Sequence, residues 1–322
     1  MSAPIPDLPG EFALIARHFR PLAGPGALSL SDDAAVFTPP AGRDLVIAAD
    51  AMVAGVHFLP DDPPDLVGRK LLRTNLSDLA AMGATPFGYL MTVSAPRATP
   101  DAWFAGFAAG LAADQAEFAI FLLGGDTTST PGPISLSLTI LGHVAPGGAL
   151  RRAGARDGDG LWVSGSIGDG ALGLLAARGE IADPDGALAG RYRLPRPRLA
   201  LGQAVAGIAH AGMDVSDGLV QDAGHLCRAG GLGVVIEAEA VPLSPAARAA
   251  GRLALCLTGG DDYELLLAVP PRAEAALAGA AARTATAVTR IGAFHAGAPA
   301  VTVRAADGTT LPLAAGGWSH FA

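Results

Sequence analysis

Lysine is almost absent from this chain, and its scarcity excludes the commonest kind of ATP site. Lys70 is the only lysine among the 322 residues, so arginine carries nearly all of the basic charge. A Walker A loop needs a lysine directly after its glycines, and Lys70 follows Gly68 and Arg69 without such a loop. If the chain binds ATP, it therefore does so without a P-loop.

Aromatic side chains and net positive charge are scarce as well. Only 5% of the residues are aromatic, the formal net charge is −8 and the sequence pI is near 5.3. Base stacking needs aromatic side chains, and binding to nucleic-acid backbones or anionic membranes needs positive charge. We therefore expect neither a nucleic-acid nor a membrane partner. Small anionic substrates stay possible, because bound metal ions reverse the local field.

Several motifs of other enzyme and membrane classes are missing. No apolar run reaches the ~18 residues that a membrane span needs, and the N-terminus has no basic stretch followed by an apolar one. We therefore expect a cytoplasmic protein. The two cysteines, Cys227 and Cys256, have no metal-ligand spacing and are expected to be reduced, partly buried thiols. No HExxH, CxxC or defensible Ser-His-Asp order supports zinc or nucleophilic catalysis.

The pattern of apolar runs predicts two α/β domains. Half of the residues are hydrophobic, so a chain of this length can bury two cores. Strand-like and helix-like segments alternate in both halves, and the basic, glycine-rich residues 151–160 are the best boundary between them. We predict domains at 1–150 and 151–322. Within the first, we expect strands at 34–37, at 45–49 ending at Asp50, and at 118–123, with a helix over 64–82.

Short acidic motifs are the main chemical signal, and most of them lie where an apolar run meets a turn or a helix start. They are Ser31-Asp32-Asp33-Ala34, Ala49-Asp50, Asn75-Leu76-Ser77-Asp78, Gly124-Gly125-Asp126-Thr127, Asp214-Val215-Ser216-Asp217-Gly218 and Gly259-Gly260-Asp261-Asp262-Tyr263. Ligand-binding groups of α/β proteins collect at such positions. So many short carboxylates converge only around cations, and Mg²⁺ is the hard, oxygen-seeking cation that accompanies nucleotide phosphates. The interpretation is a polymetal phosphate site.

Each motif also has a plain structural interpretation. The pair before Ala34 suits a surface turn, the two glycines before Asp126 suit a hairpin turn, and Ser216 or Asp217 suits a helix cap. A lone histidine such as His57 is commonly structural. Residues 165–173 contain a GxGxxG pattern at 168–173, but no βαβ unit with a terminal acid follows, so we interpret it as a tight strand-to-helix turn.

Taken in order, the motifs resemble those of the thiamine-monophosphate kinase family. This family belongs to the superfamily of formylglycinamidine cyclo-ligase (aminoimidazole ribonucleotide synthetase), selenophosphate synthetase and a hydrogenase maturation factor. The match includes the six acidic motifs, Gly10-Glu11-Phe12-Ala13-Leu14-Ile15, Val53-Ala54-Gly55-Val56-His57-Phe58 and the extension Leu79-Ala80-Ala81-Met82-Gly83-Ala84. The resemblance implies two α/β domains of the aminoimidazole ribonucleotide synthetase-like type, with the N-terminal sheets of two subunits forming a barrel-like dimer core. It also implies ATP-dependent phosphorylation of thiamine monophosphate to thiamine diphosphate, the last step of thiamine diphosphate biosynthesis.

The resemblance also implies roles for individual residues. Metal-binding carboxylates match Asp33, Asp50, Asp78, Asp126, Asp214 and Asp217, with several Mg²⁺ ions as cofactors. ATP contacts match Gly125, Asp126, Arg152 and Ser216, and contacts to thiamine monophosphate match His57, Asp261 and Trp318. Catalysis would come from positioning and metal ions rather than from a catalytic side chain.

The sequence departs from the family pattern at three places, and it also allows several rival functions. Ser31 replaces a usual glycine, Ala48-Ala49 replace a usual Ser-Thr pair, and Asp261 replaces a usual glutamate. The rivals are another ATP-dependent enzyme of the superfamily, a catalytically silent nucleotide- or metal-binding regulator, and a two-metal phosphatase. Selenophosphate synthetases typically carry a reactive cysteine near the N-terminus, and here the first cysteine is Cys227.

Overall fold

The computed structural model describes residues 10–313 and 316–320, and the chain forms two compact units. One comprises Met1–Leu79 with Thr85–Pro146, and the other comprises Ala80–Ala84 with Gly147–Ala322. Each unit has its own sheet and its own helices, as the alternation of apolar runs predicts. The prediction of two α/β domains is therefore confirmed, and both sheets prove to be mixed.

The first unit contains a four-stranded sheet and two long helices. Its elements are α1 (Gly10–Leu14), a π-helical turn (Ile15–Phe19), β1 (Asp44–Val53), α2 (Pro64–Ala81), β2 (Thr85–Ala95), α3 (Asp101–Phe118), β3 (Leu122–Ser129) and β4 (Ser135–Val144). The strand order is β1-β4-β2-β3, with β2 and β3 parallel and the other pairs antiparallel. The sheet is open, with β1 and β3 at its edges.

Helix α2 is buried along most of its length, because leucines recur at helical spacing. Leu71, Leu72, Leu76 and Leu79 are all fully buried. A buried ion pair joins α2 to α3, since the Arg73 guanidinium donates from Nε and Nη2 to the two carboxylate oxygens of Asp114, at 2.7 and 2.9 Å. This pair fixes α2, and with it the Asn75–Asp78 motif, against the rest of the unit.

The second unit contains a six-stranded sheet in the order β10-β7-β9-β5-β8-β6. Its strands are β5 (Gly160–Ser164), β6 (Ala211–Val215), β7 (Leu232–Glu237), β8 (Glu264–Val269), β9 (Val288–Ala296) and β10 (Val301–Arg304). Its helices are α4 (Asp169–Ala177), α5 (Ala187–Arg193), α6 (Leu199–Val205), α7 (Leu219–Gly230), α8 (Pro245–Ala250), α9 (Leu253–Thr258) and α10 (Glu274–Arg283). All six residues of β8 are buried, which places this strand at the centre of the core.

The structure corrects three local predictions. Residues 34–37, which the structure describes, form no strand, so the carboxylates before them lie in an irregular loop. The first strand does not end at Asp50 but continues to Val53. Residues 118–121 lie at the end of α3 and beyond it, so Gly124 and Gly125 stand inside β3 rather than after a strand. Local apolar content marked these segments, but hydrogen-bond pairing with β4 and β2 sets where the strands run.

Two further observations concern the cysteines and membranes. Cys227 and Cys256 are both buried free thiols, as expected, and Cys256 lies in α9. Burial raises the pKa of each thiol to about 11. Among the described residues, no helix combines the length and the hydrophobicity that crossing a bilayer requires.

Candidate functional site

In the first unit, Asp50 is tied to the helix that carries the Asn75–Asp78 motif. The Asp50 backbone N–H donates to Oδ1 of Asn75 at 3.1 Å, and Asn75 Nδ2 donates to the Leu71 carbonyl at 2.9 Å. Asn75 is fully buried, so this polar face of α2 is not solvated. Asp78, one turn further along, is half-buried. The motif therefore links the helix to strand β1 and leaves Asp78 partly accessible.

The strand register separates Asp50 from Asp126. Asp50 lies level with Gly125 across the intervening strands β4 and β2, in the row Asp50–Leu138–Met91–Gly125. Three strand spacings amount to roughly 14 Å in a flat sheet. Asp126 is one residue further along β3, so its side chain starts from the opposite face of the sheet. Both carboxylates are exposed.

Gly125 has a structural explanation within the sheet. A Cβ at this position would lie 1.7 Å from the Met91 carbonyl oxygen, so any side chain would break the pairing of β3 with β2. Gly125 therefore allows a close approach to the neighbouring strand of the same chain. Asp126 follows this constrained point and accepts a hydrogen bond from the Thr127 N–H at 2.9 Å.

His57 lies in the turn after β1 and has a defined tautomer. The Val53 N–H donates to its Nδ1 at 3.0 Å, so the ring proton is on Nε2. Lys70 is buried and donates from Nζ to the His57 carbonyl oxygen at 2.9 Å. The single lysine of the chain thus holds the histidine turn, and Nε2 is a hydrogen-bond donor. Asp33, by contrast, is exposed in the irregular loop.

In the second unit, a buried carboxylate organises the Asp214–Gly218 motif. Oδ2 of Asp222 accepts hydrogen bonds from the backbone N–H groups of Ser216, Asp217 and Gly218, each at 3.1 Å. Within the described residues no side chain caps α7 from its N-cap position, Gly218, so the prediction of a Ser216 or Asp217 cap is wrong. Asp222, in the first turn of α7, instead binds the backbone N–H groups of the three residues that precede the helix.

Negative charge accumulates around this motif. Asp222 is 1% exposed and Asp214 is also buried. Burial first, and then the nearby charges of Asp214 and Asp217, raise the pKa of Asp222 to about 7. Three mutually repelling carboxyl groups are the charge pattern that a cation relieves.

The Gly259–Tyr263 motif lies directly beside the Asp214–Gly218 motif. The Asp261 N–H donates to the Ser216 carbonyl at 2.9 Å, and the Tyr263 N–H donates to the Val215 carbonyl at 2.8 Å. Two predicted sites, Ser216 as an ATP contact and Asp261 as a substrate contact, are thereby brought together. Asp261 is half-buried.

Trp318 is connected to the same region through its backbone. Its N–H donates to the Asp217 carbonyl at 2.9 Å, and Gln221 Nε2 donates to the Trp318 carbonyl at 2.8 Å. The indole is 55% exposed and borders a pocket of about 550 Å³. The polar and aromatic residues lining this pocket include Asp217, Gln221, His225, Arg228, Trp318 and His320.

Positive charge faces this pocket. Burial and then the charges of Arg228 and Arg152 lower the pKa of His225. Arg152, the predicted ATP contact, is exposed. The pocket thus combines an aromatic ring, a carboxylate and the Arg228 guanidinium, which suits a ligand with a flat ring and a phosphate.

The donor sets in the two units suit a hard divalent cation, although neither forms a ready-made cage. Every predicted metal ligand is an aspartate, and oxygen donors are what Mg²⁺ requires. Across residues 10–313 and 316–320, no three acidic, histidine or cysteine side chains are grouped closely enough to hold a metal on their own. Mg²⁺ is commonly held by one or two carboxylates together with substrate phosphates, so the residues fit this mode of binding.

Sequence reasoning missed several residues of the site. In the sequence, Asp222 simply follows Asp217 by five positions, and Asp262 and Tyr263 stand out only as part of a motif. Gln221 gave no signal at all. Asp262 and Gln221 bond to backbone groups 94 and 97 positions away, and a hydrogen bond to a distant backbone group leaves no pattern in local sequence.

Comparisons with known proteins agree with this organisation. Residues 31–144 match the family described as "AIR synthase related protein, N-terminal domain", and residues 156–304 match "AIR synthase related protein, C-terminal domain". A protein of Caulobacter vibrioides named thiamine-monophosphate kinase is 50% identical over 304 residues, which cover 91% of this chain and 86% of the relative. A Salmonella typhimurium protein of the same name is 39% identical over 326 residues, with 97% and 98% covered.

Solved structures show the same similarity. The thiamine-monophosphate kinase of Stenotrophomonas maltophilia K279a superposes with a TM-score of 0.80 at 38% identity, covering 88% of this chain and 91% of that one. AaThiL complexed with AMPPCP and TMP superposes with a TM-score of 0.76 at 29% identity, covering 99% of each chain. On this evidence, the chain belongs to the thiamine-monophosphate kinase family.

Proposed function

We propose that this protein transfers the terminal phosphoryl group of ATP to thiamine monophosphate, giving thiamine diphosphate and ADP. The observation that carries the proposal is the 50% identity to a thiamine-monophosphate kinase over 91% of the chain. AaThiL, which shares the fold over its full length, is described in complex with AMPPCP and TMP. The aromatic, partly cationic pocket beside Asp217 supports the same substrate class.

The chemistry needs no general base. The acceptor is a phosphate monoester, whose second pKa near 6 leaves it largely ionised at neutral pH. What the reaction needs is charge neutralisation and in-line alignment of two polyanions. We assign Asp33, Asp50, Asp78, Asp126, Asp214 and Asp217 as ligands of Mg²⁺, which would supply that neutralisation. Direct transfer without a phosphoenzyme follows, since no nucleophile is required.

The other contacts divide between the two substrates. We assign Gly125, Asp126, Arg152 and Ser216 to ATP, and His57, Asp261 and Trp318 to thiamine monophosphate. The Val53 N–H donates to Nδ1 of His57, so Nε2 carries the ring proton and is the nitrogen that we assign to the substrate phosphate. The indole of Trp318 offers its face to a heterocyclic ring of the substrate.

We also propose the dimer that the resemblance implies, with the N-terminal domain as its contact. In this proposal the N-terminal domain is residues 1–150 and also carries metal and ATP ligands, and the second domain is residues 151–322. Leu45 and Ile47 of β1 are exposed on one face of the four-stranded sheet, and Leu90 of β2 shares that face through the row of Ala49 and Thr139. An exposed apolar sheet face is typical of a contact surface. Pairing with a second copy would bury it in a barrel-like core. A cytoplasmic location is part of the same proposal.

A turnover assay tests the function directly. Purified protein with ATP, Mg²⁺ and thiamine monophosphate is expected to release thiamine diphosphate and ADP in equal amounts. Free thiamine serves as the control acceptor and is expected to stay unphosphorylated. Release of inorganic phosphate without thiamine diphosphate would instead identify a phosphatase. Binding of nucleotide without any turnover would identify a silent regulator, the alternative that Ala48 and Ala49 suggest.

A further inference from the structure

The Gly259–Tyr263 loop holds two residues in a conformation that their side chains disfavour. Asp261 has a φ of 70° and Tyr263 a φ of 53°, both in the left-handed region. Non-glycine residues rarely adopt this region, and they keep it only where the surroundings impose it. The residues on either side of Tyr263 in sequence, Asp262 and Glu264, are buried, whereas Asp261 and Tyr263 are half-buried. The loop is therefore anchored to the protein interior by two buried acidic side chains, Asp262 and Glu264.

Asp262 is the first anchor. It is 2% exposed, and its two carboxylate oxygens accept hydrogen bonds from the Gly168 N–H at 2.7 Å and the Gly170 N–H at 3.0 Å. These N–H groups belong to the turn that contains the GxGxxG pattern. A Cβ on Gly170 would lie 2.3 Å from the Asp261 carbonyl oxygen. The glycine-rich turn thus binds a carboxylate of its own chain, and its glycines allow the Asp261 backbone to approach.

Glu264 is the second anchor. It is fully buried and accepts hydrogen bonds from Ser164 Oγ at 2.6 Å, Arg198 Nε at 2.6 Å and Arg191 Nη2 at 3.0 Å. Ser164 also accepts the backbone N–H of Leu265 at 2.8 Å. Strand β8 therefore begins at a point that a hydroxyl and two guanidinium groups hold in place.

Tyr263 connects these anchors to Asp261. Its hydroxyl donates to Oδ1 of Asp261 at 3.1 Å, while the Asp261 N–H is bonded to the Ser216 carbonyl. The carboxylate is thus oriented by a side chain from its own loop, and its backbone is bonded to the adjacent Asp214–Gly218 motif.

We propose that Asp262 and Tyr263 are positioning residues that act through Asp261, fixing its carboxylate for recognition of the acceptor substrate. This inference rests on the proposed function, in which Asp261 contacts thiamine monophosphate. Asp262 sets the backbone path of the loop, and the Tyr263 hydroxyl sets the direction of the carboxylate. Neither residue touches the substrate in this scheme.

The test is a kinetic comparison of Tyr263→Phe with a matched substitution in the other unit. Y263F removes only the hydroxyl that orients Asp261. Tyr89→Phe removes a buried hydroxyl that accepts a hydrogen bond from Gln115 Nε2 at 3.0 Å, far along the chain from the loop. For Y263F we expect KM for thiamine monophosphate to rise about fivefold, the size of one hydrogen bond, with KM for ATP and Tm unchanged. For Y89F we expect no change in either KM.

Two Asp262 variants test the anchor. Asp262→Ala leaves both glycine N–H groups without their acceptor, and is expected to raise KM for thiamine monophosphate and lower Tm. Asp262→Asn keeps one acceptor oxygen and is expected to recover part of both losses. We expect KM for thiamine monophosphate to be lowest in the wild type, higher in D262N and highest in D262A. The assays are run well below the Tm of every variant, so that all of them are folded. A purely structural role would not produce this order under those conditions.

Asp261→Ala distinguishes the positioning role of Tyr263 from the proposed substrate contact of Asp261. If D261A raises KM for thiamine monophosphate and Y263F leaves it at the wild-type value, the positioning inference is overturned and the proposed function stands. If the wild type makes no thiamine diphosphate, or D261A leaves KM unchanged, the proposed substrate contact itself fails. An equal rise of both KM values in Y263F would also overturn the inference, because the effect would not be specific to the acceptor.

Discussion

Replacing Asp222 is the perturbation that most directly tests how the second unit holds the Asp214–Gly218 motif, which we assign to Mg²⁺ and ATP. Asp222→Ala removes the one oxygen that accepts the N–H groups of Ser216, Asp217 and Gly218. The Gly218 N–H is buried, whereas those of the other two residues are part-buried and can turn to water. A buried unsatisfied N–H costs about 1–3 kcal/mol, and an exposed one much less, so we expect a loss of about 2–3 kcal/mol.

This loss has a measurable size and a matched control. For a unit of this length it corresponds to a fall in Tm of roughly 4–12 °C, read by calorimetry or thermal fluorescence. Asp222→Asn keeps an acceptor oxygen at the same position, so its loss should stay below about 1 kcal/mol. Because Ser216 and Asp217 are assigned to ATP and Mg²⁺, D222A should also raise the Mg²⁺ concentration for half-maximal turnover, while D222N should raise it less.

The proposed role of Asp222 in holding this motif can be contradicted by a measurement. If D222A unfolds at the wild-type temperature and needs no additional Mg²⁺, the three hydrogen bonds do not hold the motif. Equal losses in D222A and D222N would point to the charge of Asp222 rather than to its acceptor oxygen.

Four further predictions test other parts of the molecule. Trp318→Ala should raise KM for thiamine monophosphate about tenfold, and Trp318→Phe should raise it less, since an aromatic contact is worth about 0.5–1.5 kcal/mol beyond area burial; equal effects would contradict a stacking role. Burial raises the pKa of Asp262 from 3.8 to about 8, so between these pH values the folded state keeps a proton that the unfolded state has released. The contribution of this group to the free energy of unfolding is therefore fully present below about pH 4 and is lost as the pH rises towards 8. In chelator, this group should contribute a fall of up to about 1.4 kcal/mol per pH unit to the free energy of unfolding, and the slope should be shallower in D262N. Asp114→Ala leaves the buried Arg73 guanidinium without its bidentate partner and should cost about 3–5 kcal/mol in urea unfolding; a loss below about 1 kcal/mol would contradict it. Ile47→Lys places a charge on the exposed sheet face, where Ile47 is 62% exposed, and should halve the mass measured by light scattering, whereas Val36→Lys, outside the sheet, should not.

Much of the fold was readable from local patterns, and the errors have a common cause. Leucines at helical spacing predicted α2 nearly to its ends, with 64–82 expected and Pro64–Ala81 observed. The errors fell on strand limits, at Asp50 and at Gly125, because a strand ends where its partner stops pairing and not where its own apolar run stops.

The site was predictable to the extent that its chemistry lies in short motifs. The acidic motifs named the aspartates and their order, and the resemblance supplied the substrate roles. The residues that hold those aspartates were not predictable in the same way. Gln221 donates a hydrogen bond to the Trp318 carbonyl, 97 positions away in the sequence. Asp262 accepts hydrogen bonds from the N–H groups of Gly168 and Gly170, which lie 94 and 92 positions away.

The amino-acid sequence alone determined the family, the two-domain α/β class and the carboxylate chemistry, because each is written in residue types at short, fixed spacings. Tertiary structure alone decided that the GxGxxG turn binds Asp262 instead of a phosphate, that Gln221 binds the Trp318 carbonyl, and that Gly125 is required by Met91 of the neighbouring strand. The physical reason is the same in all three cases. Which backbone N–H meets which carboxylate depends on how distant segments pack, and a hydrogen bond has no preference for partners that are close in sequence.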